Sequence, residues 1–423
     1  MAQQLYFSRD SKMYIEFDGY VWEVPVLDGF SFAQATNSSE ITLNEMESSA
    51  GVSRRGRRAF NDSLAPGEWS FSTYVRPFTS AGSGSGAADS AAEVHAVEEV
   101  LWALMAGARN YASSAFDDGS SNAVYTPSGS NAILNFDYSN KSTLGTFNIY
   151  FVLGEANRKI MKLRDAVVNE ASIDFDIDGI AMINWSGFSA EVLDFTGSTI
   201  EDTAQPTDGD TTNDSSAIAV GDVWLDSNDG YRLYVLTNVD AGTEASTTPI
   251  YEAITSTSNF IRNRLTILTV TPTTQDPDSD GTDELEASYN LTLTGGNITV
   301  SNNITYITPE ELGIVNVPIG HVTGTRSVSG SFTCYLTEDT ATTNASADFF
   351  EDLRAITNVV TNSFALTFKI GGASGTGLEL ACSTAHVEIP THSIEDVISL
   401  ETNFQALPST ISETDELVLT YRP

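Results

Sequence analysis

A chain of 423 residues is long enough for two or three domains of ordinary size, and with 41% hydrophobic residues and 10% aromatics it can bury a sizeable core, which excludes disorder by composition. Lys and Arg number 20 against 57 Asp and Glu, a formal charge of −37 that repels phosphate, excludes an electrostatic grip on nucleic acid and keeps an abundant protein soluble until assembly begins. No apolar run approaches the ~18 residues of a membrane span. The start Met1-Ala2-Gln3-Gln4 lacks the regions of a signal peptide, so the chain reads as a soluble product made in the cytosol. Cys334 and Cys382 are too few for a disulfide framework and read as buried thiols.

Short alternating runs of Val, Ile, Thr, Tyr and Phe, punctuated by Gly, Asn, Asp and Ser, set a mainly β class. An early strand pair is expected around the polar turn Thr36-Asn37-Ser38-Ser39. A long polar loop then runs from a strand ending near Glu45 to one starting near Trp69. It holds Arg54-Arg55-Gly56-Arg57-Arg58, four of the 20 basic residues in five positions. The strand Ser70-Phe71-Ser72-Thr73-Tyr74-Val75 leads to a helix with Val94, Val97, Leu101 and Leu104 on one face, a Ser90/Glu93 capping box and a stop at Gly107. His95 in that helix reads as a surface or packing residue. Further on, a strand covers Phe147 to Gly154. Then Ile173-Asp174-Phe175-Asp176-Ile177-Asp178 alternates apolar residues with carboxylates, the mark of a strand with one face on a core and one in water.

Residues 197–258 change character. A Thr, Asp, Gly, Ser and Pro stretch precedes a hairpin of Asp222-Val223-Trp224-Leu225 with Tyr231-Arg232-Leu233-Tyr234-Val235-Leu236 about the turn Ser227-Asn228-Asp229-Gly230. Beyond it, the early pattern returns. A polar turn at Ser301-Asn302-Asn303 precedes Ser331-Phe332-Thr333-Cys334-Tyr335-Leu336, which matches Ser70 to Val75 in type at each position. A second helix comes next, with Phe349, Leu353, Ile356 and Val360 on one face, Ser346 as N-cap and Asp348 in the first turn, and then the strand Phe364 to Gly371. The order implies an internal duplication: copy one in 1–196, a small inserted β-hairpin module in 197–258 and copy two in 259–423.

No catalytic signature emerges. Gly371 to Gly377 is glycine-rich but lacks the Lys-Ser/Thr ending of a phosphate loop and reads as a hairpin loop. There is no G-x-S-x-G and no H-E-x-x-H, and Cys382 with His386 and His392 lacks the paired-Cys spacing of a zinc site. No catalytic residue, cofactor or resident metal is expected. Asp276, Asp278 and Asp280 followed by Gly281 begin like a calcium loop, but Ala287 stands where its closing Glu should be, so a solvated acidic loop is the main reading and calcium a weak one.

The order of these segments resembles the tube proteins of bacteriophage tails, related in fold to pyocin tubes and type VI secretion rings. In copy one the resemblance runs from Val24-Pro25-Val26-Leu27-Asp28-Gly29 through Asn37 to Leu43 and on through Gly67-Glu68-Trp69-Ser70-Phe71-Ser72-Thr73-Tyr74-Val75-Arg76-Pro77. In copy two it includes Tyr306-Ile307-Thr308-Pro309-Glu310-Glu311-Leu312-Gly313. It implies a structural virion protein, not an enzyme. The implied fold is two tandem β-sandwich/barrel domains, each with one flanking helix, whose sheets close with other copies into stacked rings around a channel for DNA ejection. Carrying two copies departs from the commonest members and leaves two ring forms open, a trimeric pseudo-hexamer, which is favoured, and a hexamer. The resemblance makes Arg54, Arg55, Arg57 and Arg58 an inter-subunit and inter-ring loop. Asp174, Asp176 and Asp178 become candidate lining of the lumen, past which DNA slides without specific binding. Partners would be the chain itself, tail terminator, baseplate and sheath proteins, with no membrane. Location would be the tail of the virion, after assembly in the host cytoplasm. Two other readings stay open: a tube initiator, and a receptor- or glycan-binding tail or baseplate protein using Trp224, Tyr231 and Tyr234 as aromatic platforms.

Overall fold

The computed structural model describes residues 5–41, 58–80, 92–112, 115–120, 122–136, 143–239, 246–247, 250–252, 259–276, 281–283, 285–309, 316–338, 345–355, 363–394, 397–411 and 413–423. The first half carries β1 (Ser11–Phe17), β2 (Tyr20–Glu23), β3 (Ser31–Ile41), β4 (Arg58–Tyr74), β5 (Pro77–Thr79), β6 (Val94–Ala96) and α1 (Glu99–Met105). Four short strands come next, β7 (Asn110–Ala112), β8 (Ala115–Asp117), β9 (Ala123–Pro127) and β10 (Ala132–Asn135), then β11 (Phe147–Leu153), β12 (Lys159–Phe175), β13 (Met182–Ser189) and β14 (Glu191–Asp194). The middle adds β15 (Thr199–Asp202), β16 (Val223–Asp226), β17 (Arg232–Asn238), β18 (Ser246–Thr247) and β19 (Ile250–Glu252). The second half has β20 (Ile267–Pro272), β21 (Tyr289–Leu291), β22 (Leu293–Ser301), β23 (Thr305–Ile307), β24 (Gly320–Val322), β25 (Ser327–Tyr335), α2 (Ser346–Ala355), β26 (Phe364–Ile370), β27 (Gly377–Val387), β28 (Thr391–Ile394), β29 (Ile398–Ala406) and β30 (Val418–Arg422). The fold is mainly β.

The 17-residue β12 serves two sheets. Its first part pairs with β11 and β14 in an outer sheet that continues through β1 and β2. Past a bulge between Leu163 and Ala166, its last part pairs from Val167 onward with β13 in an inner sheet ordered β3, β4, β13, β12. A bulge bends a strand and strengthens its twist, which lets one strand leave the first sheet and enter the second. The second half repeats these pairings: β20 with β26 as β1 with β11, β26 with β27 as β11 with β12, and β22, β25 and β29 as β3, β4 and β13. β27 likewise meets β30 at its start and β29 at its end.

The halves are joined along both sheets. β12 pairs antiparallel with β22, from Glu170 opposite Ser301 to Phe175 opposite Gly296, so the inner sheet runs unbroken through β3, β4, β13, β12, β22, β25 and β29. Outside, β10 of the first half pairs with β30 of the second. The apolar residues of the alternating runs meet between the sheets, where Trp69, Phe71, Ile173, Trp185, Ile298, Phe332, Phe368 and Phe404 share one buried cluster. Phe175 stacks on Phe368 across the junction, centroids 5.6 Å apart and planes at 15°.

Several expectations are corrected. β3 runs straight through Thr36 to Ser39, with Asn37 opposite Ser63, and β4 begins at Arg58, not near Trp69. Polar residues fit there because this stretch is largely exposed, so polarity alone does not mark a turn. The first helix begins at Glu99; Val94–Ala96 is a strand paired with β5, and His95 lies in that strand, buried. Val94 and Val97 are buried, but their spacing matches a helix by coincidence. Gly107, at φ 101°, lies just past the end of α1. Ser346 opens α2, yet its hydroxyl donates to the Tyr335 carbonyl and accepts from the Thr337 amide, while Asp348 accepts from the Ala345 amide. Ile356 and Val360 lie outside the described residues. The alternation from Ile173 ends with β12 at Phe175, since Ile177 is exposed and Asp176 turns to accept from the Asn263 side-chain amide at 3.2 Å.

β16 and β17 form the hairpin read from the sequence. Its Val223, Leu225, Leu233 and Val235 pack on Tyr14, Val21, Tyr150, Val152 and Ile160 of the outer sheet, and β19 pairs with the edge of β2. A lone hairpin is marginal in water, and this apolar seat supplies the packing it needs.

Candidate assembly interface

Residues 67–74, 170–175, 182–189, 295–301, 327–335 and 399–406 of the inner sheet carry not one Lys or Arg. Alternation sends their apolar members inward and leaves Ser70, Ser72, Asn184, Ser172, Thr299, Ser329, Ser331 and Asn403 on the opposite face, with the carboxylates Glu68, Glu170, Asp174 and Glu401. Side chains bond along this face. Ser72 donates to Asn184 Oδ1 at 2.7 Å, Asn184 Nδ2 to Asp174 Oδ2 at 3.3 Å, and Ser331 to Asn297 Oδ1 at 3.0 Å. The result is a broad polar surface, acidic in charge, built by the scaffold of both halves.

The same sheet ends in open strands. β3 pairs only with β4, and β28 only with β29, among the described residues. Every residue of β28 is exposed, and Ile389, Ile394 and Val397 stand in water around it, with Ile394 78% exposed. Unpaired amides and carbonyls beside exposed apolar side chains template pairing with another chain.

Of the residues singled out from sequence, Asp174 lies on the polar face, near the junction with β22. Asp176 and Asp178 come in the turn after β12, exposed and off the strand. Arg54, Arg55 and Arg57 lie outside the described residues, and Arg58 opens β4. Asp278 and Asp280 also lie outside; Asp276 is described, and its carboxylate accepts from the Gly281 amide at 2.8 Å. Cys334 and Cys382 are free and buried, and burial pushes their thiols up to about 11 and about 12. His321 Nε2 accepts from the Leu144 amide at 3.0 Å, and burial, then the Arg109 charge, holds its ionisation low. The proposed aromatic platforms are already occupied: Trp224 is 6% exposed and stacks on Tyr234, and the Arg158 guanidinium lies over the Tyr231 ring.

No family model matches the chain. It is 28% identical over 398 residues to the tail tube protein pb6 of Escherichia phage T5, an alignment covering 93% of this chain and 69% of that protein. Over nearly its whole length the chain is similar to a phage tail-tube protein.

Sequence reasoning missed the residues that fasten the halves of this chain together. Buried Asn302 donates to the Met105 and Val168 carbonyls at 3.0 and 3.3 Å. Arg326 pairs with Glu416 and donates to the Phe136 carbonyl at 3.2 Å. Tyr306 bonds the Asp165 carbonyl, and Tyr421 bonds Glu98. Each partner lies far off in the chain, so no local pattern marks these contacts.

Proposed function

We propose that this tail-tube chain builds the wall of a hollow conduit by continuing its inner sheet into the next copy. The observation that carries this reading is the β12–β22 junction, where the edge strand of one repeat's inner sheet pairs with the edge strand of the next repeat's. The outer edges are the counterparts of those two strands. Ser172 lies between Asn184 and Thr299, and Thr299 faces Ser329. By the same pairings Thr391, which faces Glu401, corresponds to Ser172, and Ala33, which faces Glu68, corresponds to Thr299. Repeating the register between chains sets Thr391 opposite Ala33.

The repeats are the tube domains 1–196 and 259–423, with 197–258 as a module seated on the outer sheet. Three chains then supply six domains to a ring, and rings stack. The polar face lines the lumen, where carboxylates and hydroxyls without a cation let DNA pass without sticking. Arg54, Arg55, Arg57 and Arg58 reach toward carboxylates of a neighbouring subunit or ring. Terminator, baseplate and sheath proteins are partners at the tube's ends and outside. The role is structural, not catalytic, in the virion tail after assembly in host cytoplasm.

The test is electron microscopy of the purified chain together with the double variant Ala33→Cys, Thr391→Cys. Residues directly opposite in an antiparallel pair have Cα atoms about 4.5–5.5 Å apart, within disulfide range. Rings of threefold symmetry, and oxidised ladders that stop at three chains, are expected. Protein that stays monomeric at every concentration, or rings that never cross-link at this pair, would refute the reading.

A further inference from the structure

The outer seam between the halves is closed by β30, whose rungs set Ala132 opposite Tyr421, Ile133 opposite Thr420, Leu134 opposite Leu419 and Asn135 opposite Val418. The side chain of Tyr421 turns into the first half and donates its hydroxyl to Glu98 Oε1 at 2.7 Å. Both residues are fully buried. Glu98 immediately precedes α1, and among the described residues its Oε2 has no direct hydrogen-bond partner.

The surroundings are crowded with ionisable groups from every neighbouring element. Arg76, between β4 and β5, is the cation attracted to Glu98. Glu99 of α1 adds a second carboxylate, whose Oε2 is held by His95 Nδ1 of β6 at 2.9 Å and by the Ala96 amide at 3.3 Å. Tyr125 of β9 is buried beside both carboxylates. Burial pushes Glu98 up to about 7, the Tyr421 hydrogen bond opposes that shift, and the Glu99 charge adds to it. Two carboxylates, one guanidinium, one imidazole and two phenols thus share a buried space where the halves meet, and one of the phenols belongs to a rung of the seam.

We propose that the Glu98–Tyr421 contact is a proton-operated clasp between the two halves of the chain. With Glu98 protonated, the seam of β10 and β30 stays shut. With Glu98 ionised, the buried charge is relieved by letting water in, and the strand that must lift to admit it is β30. The opened form titrates as an ordinary carboxylate and the closed form near neutrality, so rising pH favours opening and the effect levels off once the closed form is ionised.

Hydrogen exchange of the full-length chain tests this at pH 6 and pH 8.5, with the intrinsic base dependence divided out. Protection of the amides of β10 and β30 should fall about tenfold between the two values, from a closed-state value of about 7 and an ordinary one near 4.5, while β4 and β13 stay unchanged. In Glu98→Gln the fall should vanish. Tyr421→Phe, which keeps the ring and removes only the hydroxyl, should leave the seam less protected than in the unaltered chain at pH 8.5. The proposal is overturned by pH-independent protection in the unaltered chain, by an undiminished fall in Glu98→Gln, or by a Tyr421→Phe seam as protected as the original at both pH values.

Discussion

Phe175→Ala measures how strongly the halves hold each other. Phe175 is 5% exposed at the last position of β12, and its ring stacks on Phe368 of the second half. Replacing a buried Phe by Ala costs about 3–5 kcal/mol through lost transfer energy and the cavity left behind. The lower figure applies here, because Phe175 borders an open hollow lined also by Ile177, Leu293 and Tyr335, so water can enter the space. About 1 kcal/mol of the loss belongs to the stacked geometry itself. A double-mutant cycle with Phe368→Ala should therefore return a coupling of about 1 kcal/mol, contained within the loss of about 3 kcal/mol for the single change. The assay is urea unfolding followed by tryptophan fluorescence, read as a midpoint shift at unchanged slope. Coupling within about 0.3 kcal/mol of zero would mean that the rings act independently and that the junction is not a packed seam.

The assembly surfaces give two further tests. Deleting 200–257 removes the side chains that cover Tyr14, Val21, Tyr150 and Ile160, so the deletant should expose an apolar patch and aggregate before it assembles; soluble rings from the deletant would show that the module is dispensable to the wall. Arg55→Glu combined with Arg57→Glu should shorten tubes and make them more salt-sensitive by placing like charges in an acidic contact, and tubes of unchanged length and salt resistance, measured by electron microscopy, would contradict a role for that loop in stacking.

Strand order and repeat are legible because each inner-sheet strand has one wet and one dry face, and Phe71 and Phe332 mark the same buried position in both halves. The paired strings around them therefore match in type even where identity is low. The first helix reads too long from sequence because strand β6 happens to bury Val94 at a spacing that suits a helix. The extent of β3 is hidden because a strand extended into solvent has no apolar face to announce its period. The contacts across the seam are invisible for a different reason. Glu98 and Tyr421 are 323 positions apart, and only the folded topology brings a carboxylate before one helix against a phenol on a distant strand.

The two repeats differ beyond their helices. The first carries four short strands before β11, and the last of them reaches across to the other repeat; after α2 no counterpart stands among the described residues. A circle of such chains would thus alternate two kinds of joint, one laced on both its inner and outer layers and one laced on the inner layer alone. A tube made this way would flex, and finally come apart, at every second joint, and its rigid unit would be the polypeptide and not the repeat.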